Sequence, residues 1–249
     1  MAAKTIEAQR TADAQATFDN QAIHIAQATL SRQETLTARA IRAGATVTQY
    51  AINVQSTKIA ATAHAQPILD TVLRLNDDGA INNTEGQLYE LDNFDESWAQ
   101  INWYKWWNTG LTPQRFVVTA HVEWDTASKI ANWFSSGCGF VFAAKDKDNH
   151  YLVTLGLDGY VNIVRQANNR WNRLARTYYD KLPVPAGEAD VILAVEDDLI
   201  TVYVNGEQAA HAHDKYPHSG PLALTLMSGT NKGYGMRCQM TDIHVWRLN

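Results

Sequence analysis

The chain has 249 residues, of which 19% are charged, and its formal net charge at pH 7 is −5. Because phosphate binding needs a clustered basic face and none is present, we predict no nucleic-acid partner. The sequence also lacks a run of about 18 apolar residues and a recognisable secretory signal peptide, so we predict no membrane span.

The composition of the chain changes after the first quarter. All eight tryptophans lie between Trp98 and Trp246, whereas residues 1–66 are rich in Ala, Gln and Thr. This change predicts a domain boundary. We expect a helical oligomerisation arm at 1–66, a linker at 67–79 and a second domain at 80–249.

The predicted arm has one glycine and no proline, and alanine-rich sequence of this kind favours a continuous helix. Large apolar residues recur there at eleven-residue intervals, which return almost to the same helix azimuth and so mark an apolar stripe. The two series are Ile25, Leu36, Val47 and Leu30, Ile41, Ile52. Together with Phe18, they are predicted to contact other copies of the chain in a coiled coil, stalk, bundle or filament core. The alternative is a helix that folds back over the second domain.

The stretch Trp98–Gly110 contains four tryptophans and one tyrosine. Aromatic rings form platforms on which sugar rings stack, with side-chain amides as hydrogen-bond partners. The predicted ligand-binding residues are Asn102, Trp103, Tyr104, Trp106, Trp107 and Asn108. The alternative is that these rings fill the core of the second domain or dock it onto the arm.

From Arg115 onward, apolar and polar residues alternate, which is typical of half-buried β-strands. In the first run one face is formed by Phe116, Val118, Ala120, Val122 and Trp124. Seven similar runs follow at 138–144, 151–156, 160–165, 189–195, 199–204, 221–227 and 237–248. Turn residues such as Asn205-Gly206 separate them, and no helix-length pattern intervenes. The runs predict an antiparallel β-sandwich of two sheets.

Glu123 and Asp125 form a carboxylate pair two residues apart on one predicted strand face. Glycosidases use two carboxylates in this way, one as acid and one as nucleophile or base. The third acid of a glucanase signature does not follow, because residues 126–128 carry no carboxylate. We therefore predict no catalytic residue, although hydrolysis by this pair remains an alternative.

Two clusters contain possible metal ligands. One consists of His211, His213, Asp214 and His218, and the other of Asp146, Asp148 and Asn149. The histidines have a spacing that suits two zinc ligands, and the oxygen ligands suit calcium. Both sets are also ordinary residues of exposed hairpins and turns. We predict no metal site and no cofactor.

Five segments of the second domain carry a resemblance to a known class. They are Ser136–Phe142, Asp148–Val153, Leu157–Tyr160, Val202–Glu207 and Thr241–Trp246. They resemble the concanavalin A-like, laminin-G-type jelly rolls, and the chain is similar to surface proteins of Chloroflexota-type bacteria in which a Thr-, Ala- and Gln-rich helix precedes such a domain. The resemblance implies an α+β chain, with a long N-terminal α-helix followed by a jelly roll. Members of the wider class bind glycans, hydrolyse them or only pack against other modules, so the fold leaves the function open.

Cys138 and Cys238 lie in two predicted strands, either as buried thiols or as one disulfide. The resemblance to extracellular proteins implies an oxidising compartment and therefore favours the disulfide. Such a bridge closes a loop of about 100 residues and stabilises the fold by roughly 4–5 kcal/mol in the chain-entropy model.

These observations predict a non-enzymatic, self-assembling structural protein that displays a lectin-like jelly roll on the cell surface or in the extracellular space. Its predicted partners are copies of itself and a polysaccharide or cell-surface glycan. A carbohydrate-binding module is the alternative, and a glycoside hydrolase is a third candidate.

Overall fold

The computed structural model describes residues 65–216 and 219–249. Of the arm predicted at 1–66, residues 1–64 lie outside the described residues, and so do its oligomerisation residues and His218. Those oligomerisation residues are Phe18, Ile25, Leu30, Leu36, Ile41, Val47 and Ile52. The structure divides the chain into two units, and all described residues belong to the unit that spans 65–249.

The described part begins with a helix, α1, over residues 65–77. Its apolar residues Ile68, Val72 and Leu75 follow one another at steps of four and three, so they share one face, which is buried. The helix is followed by Gly79 at φ 74°, a conformation that favours glycine and commonly ends helices. The sequence analysis assigned 67–79 to a linker. Residues 67–77 of that segment belong to α1, whose apolar face packs on a sheet.

Thirteen strands follow the helix in the described residues. In chain order they are β1 Gly86–Glu90, β2 Phe94–Trp98, β3 Trp103–Asn108, β4 Phe116–Thr126, β5 Gly137–Asp146, β6 Asn149–Gly156, β7 Tyr160–Ala167, β8 Arg170–Tyr178, β9 Ala186–Glu196, β10 Leu199–Val204, β11 Glu207–His213, β12 Ala223–Ser228 and β13 Met236–Leu248. A short 3-10 turn, Trp133–Ser135, lies between β4 and β5.

The strands form two sheets. Sheet A has the order β1-β13-β4-β9-β10-β11, with β2 also paired to β13, and sheet B has the order β3-β12-β5-β6-β7-β8. All pairings between these strands are antiparallel. This confirms the predicted antiparallel β-sandwich. The eight predicted runs overlap β4, β5, β6, β7, β9, β10, β12 and β13.

The main hydrophobic core lies between the two sheets. The alternating residues predicted for β4, from Phe116 to Trp124, contribute one side of it, and residues such as Phe140 and Ile163 contribute the other. A disulfide between Cys138 in β5 and Cys238 in β13 joins the sheets inside this core, with the two Cα atoms 6.0 Å apart.

A second apolar cluster lies on the outer face of sheet A. Its sheet residues are Val117, Ile192, Ala194, Tyr203, Trp246 and Leu248, and the buried face of α1 packs against them. The Arg74 guanidinium of α1 also donates a hydrogen bond of 2.7 Å to the carbonyl of Gly206. Sheet A is therefore buried on both faces where the helix covers it.

Five strands were not predicted: β1, β2, β3, β8 and β11. Most residues of β8 are exposed or only partly buried, and β8 and β11 form edges of their sheets. An edge strand with few buried side chains does not show the apolar alternation that identifies a strand in the sequence. The described residues contain no helix that is long and apolar enough to cross a lipid bilayer.

Candidate functional site

A groove of about 610 Å³ lies on the outer face of sheet B. Alternation along β6 and β7 positions its floor: Thr154 and Asn162 line the groove, whereas Val153 and Ile163 belong to the core between the sheets. The lining residues are Asn102, Trp103, Tyr104, Asn132, Phe134, Ser135, Leu152, Thr154, Asn162, Val164, Trp171, Arg173 and Met227.

Four aromatic side chains line this groove: Trp103, Tyr104, Phe134 and Trp171. Trp103 and Trp171 are 53% and 50% exposed, whereas Tyr104, whose ring contacts both of them, is only 8% exposed. The ring centroid of Tyr104 lies 5.9 Å from that of Trp103 and 5.6 Å from that of Trp171. The groove thus has one buried ring, that of Tyr104, and three rings that are about half open to solvent: the two indoles and the phenyl ring of Phe134.

The two indoles come from opposite edges of sheet B, Trp103 from β3 and Trp171 from β8. In a flat sheet the two edge strands of six would lie roughly 24 Å apart. The Tyr104 ring of β3 nevertheless contacts the Trp171 ring at 5.6 Å. Sheet B therefore curves strongly, and its outer face is concave.

Hydrogen bonds beneath the groove fix the Tyr104 ring. Its hydroxyl lies 2.7 Å from Nε2 of His150 and donates to Oε1 of Gln166 at 3.0 Å. Because the hydroxyl has a single proton, the imidazole is assigned as the donor to the Tyr104 oxygen. Burial lowers the pKa of His150, so the neutral ring is favoured, and burial together with the charge of Asp148 raises the pKa of Tyr104.

Side-chain amides form one wall of the groove. Nδ2 of Asn132 donates to Oδ1 of Asn102 and to Oγ of Ser135, both at 3.1 Å. The Asn102 amide oxygen thus accepts a hydrogen bond from Asn132, and the Asn102 NH₂ group remains a donor for a ligand. Asn102 adopts φ 60°, a left-handed conformation that asparagine tolerates better than most residues. Its backbone N–H is held by the Ser228 carbonyl at 2.9 Å.

The predicted ligand-binding residues divide among three places. Asn102, Trp103 and Tyr104 line the groove. Trp106 packs against His150 with ring centroids 4.7 Å apart. The remaining two, Trp107 and Asn108, line a separate cavity of about 380 Å³ beside the loop that joins β1 and β2.

Trp107 and Tyr104 occupy different environments because side chains alternate along β3. Trp107 packs against the core between the sheets and makes an edge contact with Phe94, with ring centroids 5.2 Å apart. Alternation along the strand does not by itself tell which face is open.

Trp171 and Arg173 were missed by the sequence analysis. Both come from β8, which begins Arg170-Trp171-Asn172-Arg173 and has no buried residue in this part. A tryptophan among charged and polar residues was the available signal, because such a ring has no apolar neighbour in sequence to share a core with. The segment lacks the apolar alternation by which the other strands were predicted.

The carboxylates Glu123 and Asp125 lie on the outer side of sheet A, away from the groove. Asp125 accepts a hydrogen bond from the Tyr234 hydroxyl. Oε1 of Glu123 lies 4.0 Å from Nε2 of His121, whose Nδ1 is 2.8 Å from Oδ1 of Asp190. The hydrogen bond with Asp190 raises the pKa of His121. These groups form a charge cluster on the opposite sheet.

The possible metal ligands at the end of β11 each contact a different partner. Asp214 binds the Arg165 guanidinium at 2.7 and 2.8 Å and accepts a hydrogen bond from the Tyr151 hydroxyl at 3.1 Å. His211 contacts the Gln208 amide at 3.2 Å, and Nδ1 of His213 lies 3.5 Å from an oxygen of Asp198. Among residues 65–216 and 219–249, no three His, Cys, Asp or Glu side chains are grouped as metal ligands would be.

The acids at the β5–β6 hairpin stabilise its turn. Oδ1 of Asp146 accepts hydrogen bonds from the backbone N–H of Asp148 at 2.8 Å and from the side-chain amide of Asn149 at 2.9 Å. The bond from Asn149 is the main reason that the pKa of Asp146 is lowered. This is the side-chain-to-backbone turn that Asp commonly forms.

No family model matches the chain, and no curated protein matches it. Solved structures with a similar fold include the carbohydrate-binding module CBM66 from Bacillus subtilis, with 13% identity, 63% of this chain and 92% of that chain covered and a TM-score of 0.46. For a fructosyltransferase from A. japonicus, the identity is 18%, the match covers 69% of this chain and 28% of that chain, and the TM-score is 0.47. For a Bacillus licheniformis beta-glucanase, the identity is 13%, the match covers 57% of this chain and 70% of that chain, and the TM-score is 0.42.

These comparisons correct two predictions. The sequence analysis expected a non-enzymatic, self-assembling structural protein, and the comparisons contradict both the structural filament role and the exclusion of an enzyme, whereas homo-oligomerisation is not shown. The similar structures are by name a carbohydrate-binding module and enzymes that act on carbohydrates, rather than filament subunits. At such low identity the similarity concerns the fold alone, so the assignment of a function has to come from the groove.

Proposed function

We propose that the described β-sandwich binds carbohydrate in the groove on the outer face of sheet B. One observation carries this proposal: the half-exposed indoles of Trp103 and Trp171 flank the buried ring of Tyr104 in a concave site of about 610 Å³. An exposed indole in a concave site offers a flat apolar surface to a ligand, and removing that surface from water favours binding.

The chemistry of a sugar ring complements this groove. A pyranose presents C–H groups on its faces and hydroxyl groups at its edge. The faces suit the indoles, and the edge suits the side-chain amides of Asn102 and Asn162, which line the groove. The hydrogen bonds of Tyr104 to His150 and Gln166 hold the floor in place before a ligand arrives. A floor that is already fixed lowers the entropy lost on binding.

The finer features of the sequence prediction are part of this proposal. We propose a concanavalin A-like jelly roll that works on the cell surface or outside the cell. The two antiparallel sheets support the first part, and the buried disulfide between Cys138 and Cys238 supports an oxidising compartment. Fractionation of the native cells, with the protein found only in the reducing cytosol, would contradict the location. The similarity to surface proteins of Chloroflexota-type bacteria stays a prediction.

The proposal is tested by glycan binding to the full chain and to two groove variants, Trp103→Ala and Trp171→Ala. We expect the wild type to bind a subset of an array of neutral and acidic oligosaccharides. Each variant should lose several-fold to about tenfold in affinity, measured by calorimetry on the best array ligand, because ring stacking contributes about 0.5–1.5 kcal/mol. The matched control is Tyr234→Ala, an exposed aromatic residue whose hydroxyl binds Asp125 on sheet A.

Two outcomes contradict the proposal: no binding to any glycan on the array, or binding that Trp103→Ala and Trp171→Ala leave unchanged. The control variant should retain the wild-type affinity. The same incubations, analysed for new reducing ends, measure whether the bound carbohydrate is also cleaved. That assay tests the glycoside hydrolase, which the main prediction of a non-enzymatic protein did not include.

A further inference from the structure

The groove carries a positive charge that is not neutralised by its own lining. Arg173 is its one charged lining residue in the described part of the chain, and Asp and Glu are absent from that lining. The groove therefore presents a full positive charge together with neutral donors such as the Asn102 amide. The sign of this charge is opposite to the net charge of the whole chain, which is −5.

Two other arginines of sheet B, Arg165 and Arg176, are engaged with carboxylates, unlike Arg173. Arg165 lies 2.7 Å from an oxygen of Asp214, and Arg176 lies 2.7 Å from an oxygen of Asp158. Arg176 also covers the Tyr160 ring, at 3.5 Å from its centroid. Arg173 has no hydrogen-bond or ion-pair partner among residues 65–216 and 219–249. Its guanidinium thus remains available to a ligand.

Arg173 also has a suitable position relative to the stacking platform. It lies two residues from Trp171 on β8, and both side chains line the groove. Residues two apart on a strand are roughly 7 Å apart at Cα and point to the same side. A sugar ring stacked on Trp171 would therefore bring a substituent at its edge within reach of the guanidinium. The guanidinium fork matches a carboxylate or sulfate and can form two parallel hydrogen bonds.

We propose that the groove selects an acidic sugar, one that carries a carboxylate or a sulfate ester, and that Arg173 binds this anionic group. This inference rests on the proposed carbohydrate-binding function and names its ligand class. Because the whole chain is negatively charged, long-range attraction does not favour an acidic polymer. Recognition has to come from the contact with Arg173 and therefore depends on that residue.

Two matched pairs of polymers test the selectivity on the full chain. Polygalacturonate is compared with its methyl ester, which keeps the backbone and removes the charge, and dextran sulfate is compared with dextran. The variants are Arg173→Gln and, as a matched control, Arg170→Gln, which makes the same charge change on the same strand outside the groove lining. We expect the wild type to prefer the acidic member of at least one pair by about tenfold or more. Arg173→Gln should abolish that preference, and Arg170→Gln should retain it.

The two pairs separate the possible sources of the anionic group: preference within the first pair indicates a uronate, and within the second a sulfate ester. Equal binding of both members of both pairs overturns the inference, as does a preference that Arg173→Gln leaves intact. If neutral glycans bind in a Trp171-dependent manner while the acidic polymers do not, the selectivity is wrong but the proposed function stands. If the protein binds no carbohydrate of either kind, both are wrong.

Discussion

The outer faces of the two sheets are built by the same alternation but have different neighbours. On sheet A the outward residues include Val117, Ile192 and Ala194, and helix α1 covers them. On sheet B they include Thr154 and Asn162, and they line an open groove with Trp171. Where the outward residues are apolar, the chain supplies its own cover. On sheet B, polar and aromatic residues share the outer face with apolar ones such as Leu152 and Val164, and the groove remains open to a ligand.

This difference separates stability from binding within one sandwich. The helix adds buried apolar area to sheet A, which stabilises the fold in proportion to the area removed from water. The indoles of Trp103 and Trp171 leave about half of their surface in water. Such exposed rings contribute little to folding and are free to contribute to binding. Three predictions test how separate the two faces are.

The largest expected effect is on the covered face. Leu75 is fully buried between α1 and sheet A, so Leu75→Ala should lower the free energy of unfolding by about 3 kcal/mol through lost burial and an unfilled cavity. Urea unfolding measures this change. Leu73→Ala is the matched control, because Leu73 lies on the same helix but is exposed, and it should change stability by less than about 0.5 kcal/mol.

Glycan affinity of the folded Leu75→Ala protein should stay within about twofold of the wild type, since α1 and the groove lie on opposite sheets. A loss of affinity as large as that caused by Trp171→Ala would show that the two faces are coupled. In that case the division between a stabilising face and a binding face would be wrong.

A smaller effect is expected from removing the hydroxyl beneath the groove. Tyr104→Phe keeps the ring but leaves His150 and Gln166 without their shared partner, so stability should fall by about 1–2 kcal/mol. Because the ring loses its anchor, glycan affinity should also fall several-fold, measured by calorimetry. The matched variant on sheet A is Tyr203→Phe, which removes a hydroxyl that donates to Asp78 at 3.2 Å. It should leave glycan affinity unchanged, and an equal loss in both variants would contradict a specific role for Tyr104.

The smallest effect is a pH dependence of opposite sign on the two sheets. Burial lowers the pKa of His150, so below the ordinary histidine pKa of about 6.5 the unfolded chain binds a proton that the folded chain does not. Its contribution should therefore destabilise the fold as the pH falls through that value. The Asp190 hydrogen bond raises the pKa of His121, so its stabilising contribution is complete below about 6.5 and is lost as the pH rises through the raised pKa.

Urea unfolding at several pH values between about 5 and 8 separates these two contributions. His150→Gln should reduce the loss of stability on the acid side, and His121→Gln should reduce the loss on the neutral side. Identical pH profiles for the wild type and His150→Gln would contradict the burial of a neutral imidazole beneath the groove.

Much of the sandwich could be predicted from the sequence, and the groove only in part. The run from Phe116 to Trp124 identified β4 and its buried face, because alternation is a local property that survives without knowledge of the partner strand. The richness of Trp98–Gly110 in aromatic residues pointed to Trp103 and Tyr104. The same stretch could not show that Trp107 packs against the core, since either face of an isolated strand can be the buried one.

The sequence by itself determined eight of the thirteen strands in the described residues, the turn chemistry between several of them and the aromatic stretch that forms one side of the groove. Only the tertiary structure decided that Trp171, from the opposite edge of sheet B, meets Tyr104, and that residues 65–77 form a helix over sheet A. The physical reason is that alternation and turns depend on neighbours in the chain. The curvature of a sheet and the choice of which face is covered depend on contacts between residues that are far apart in sequence.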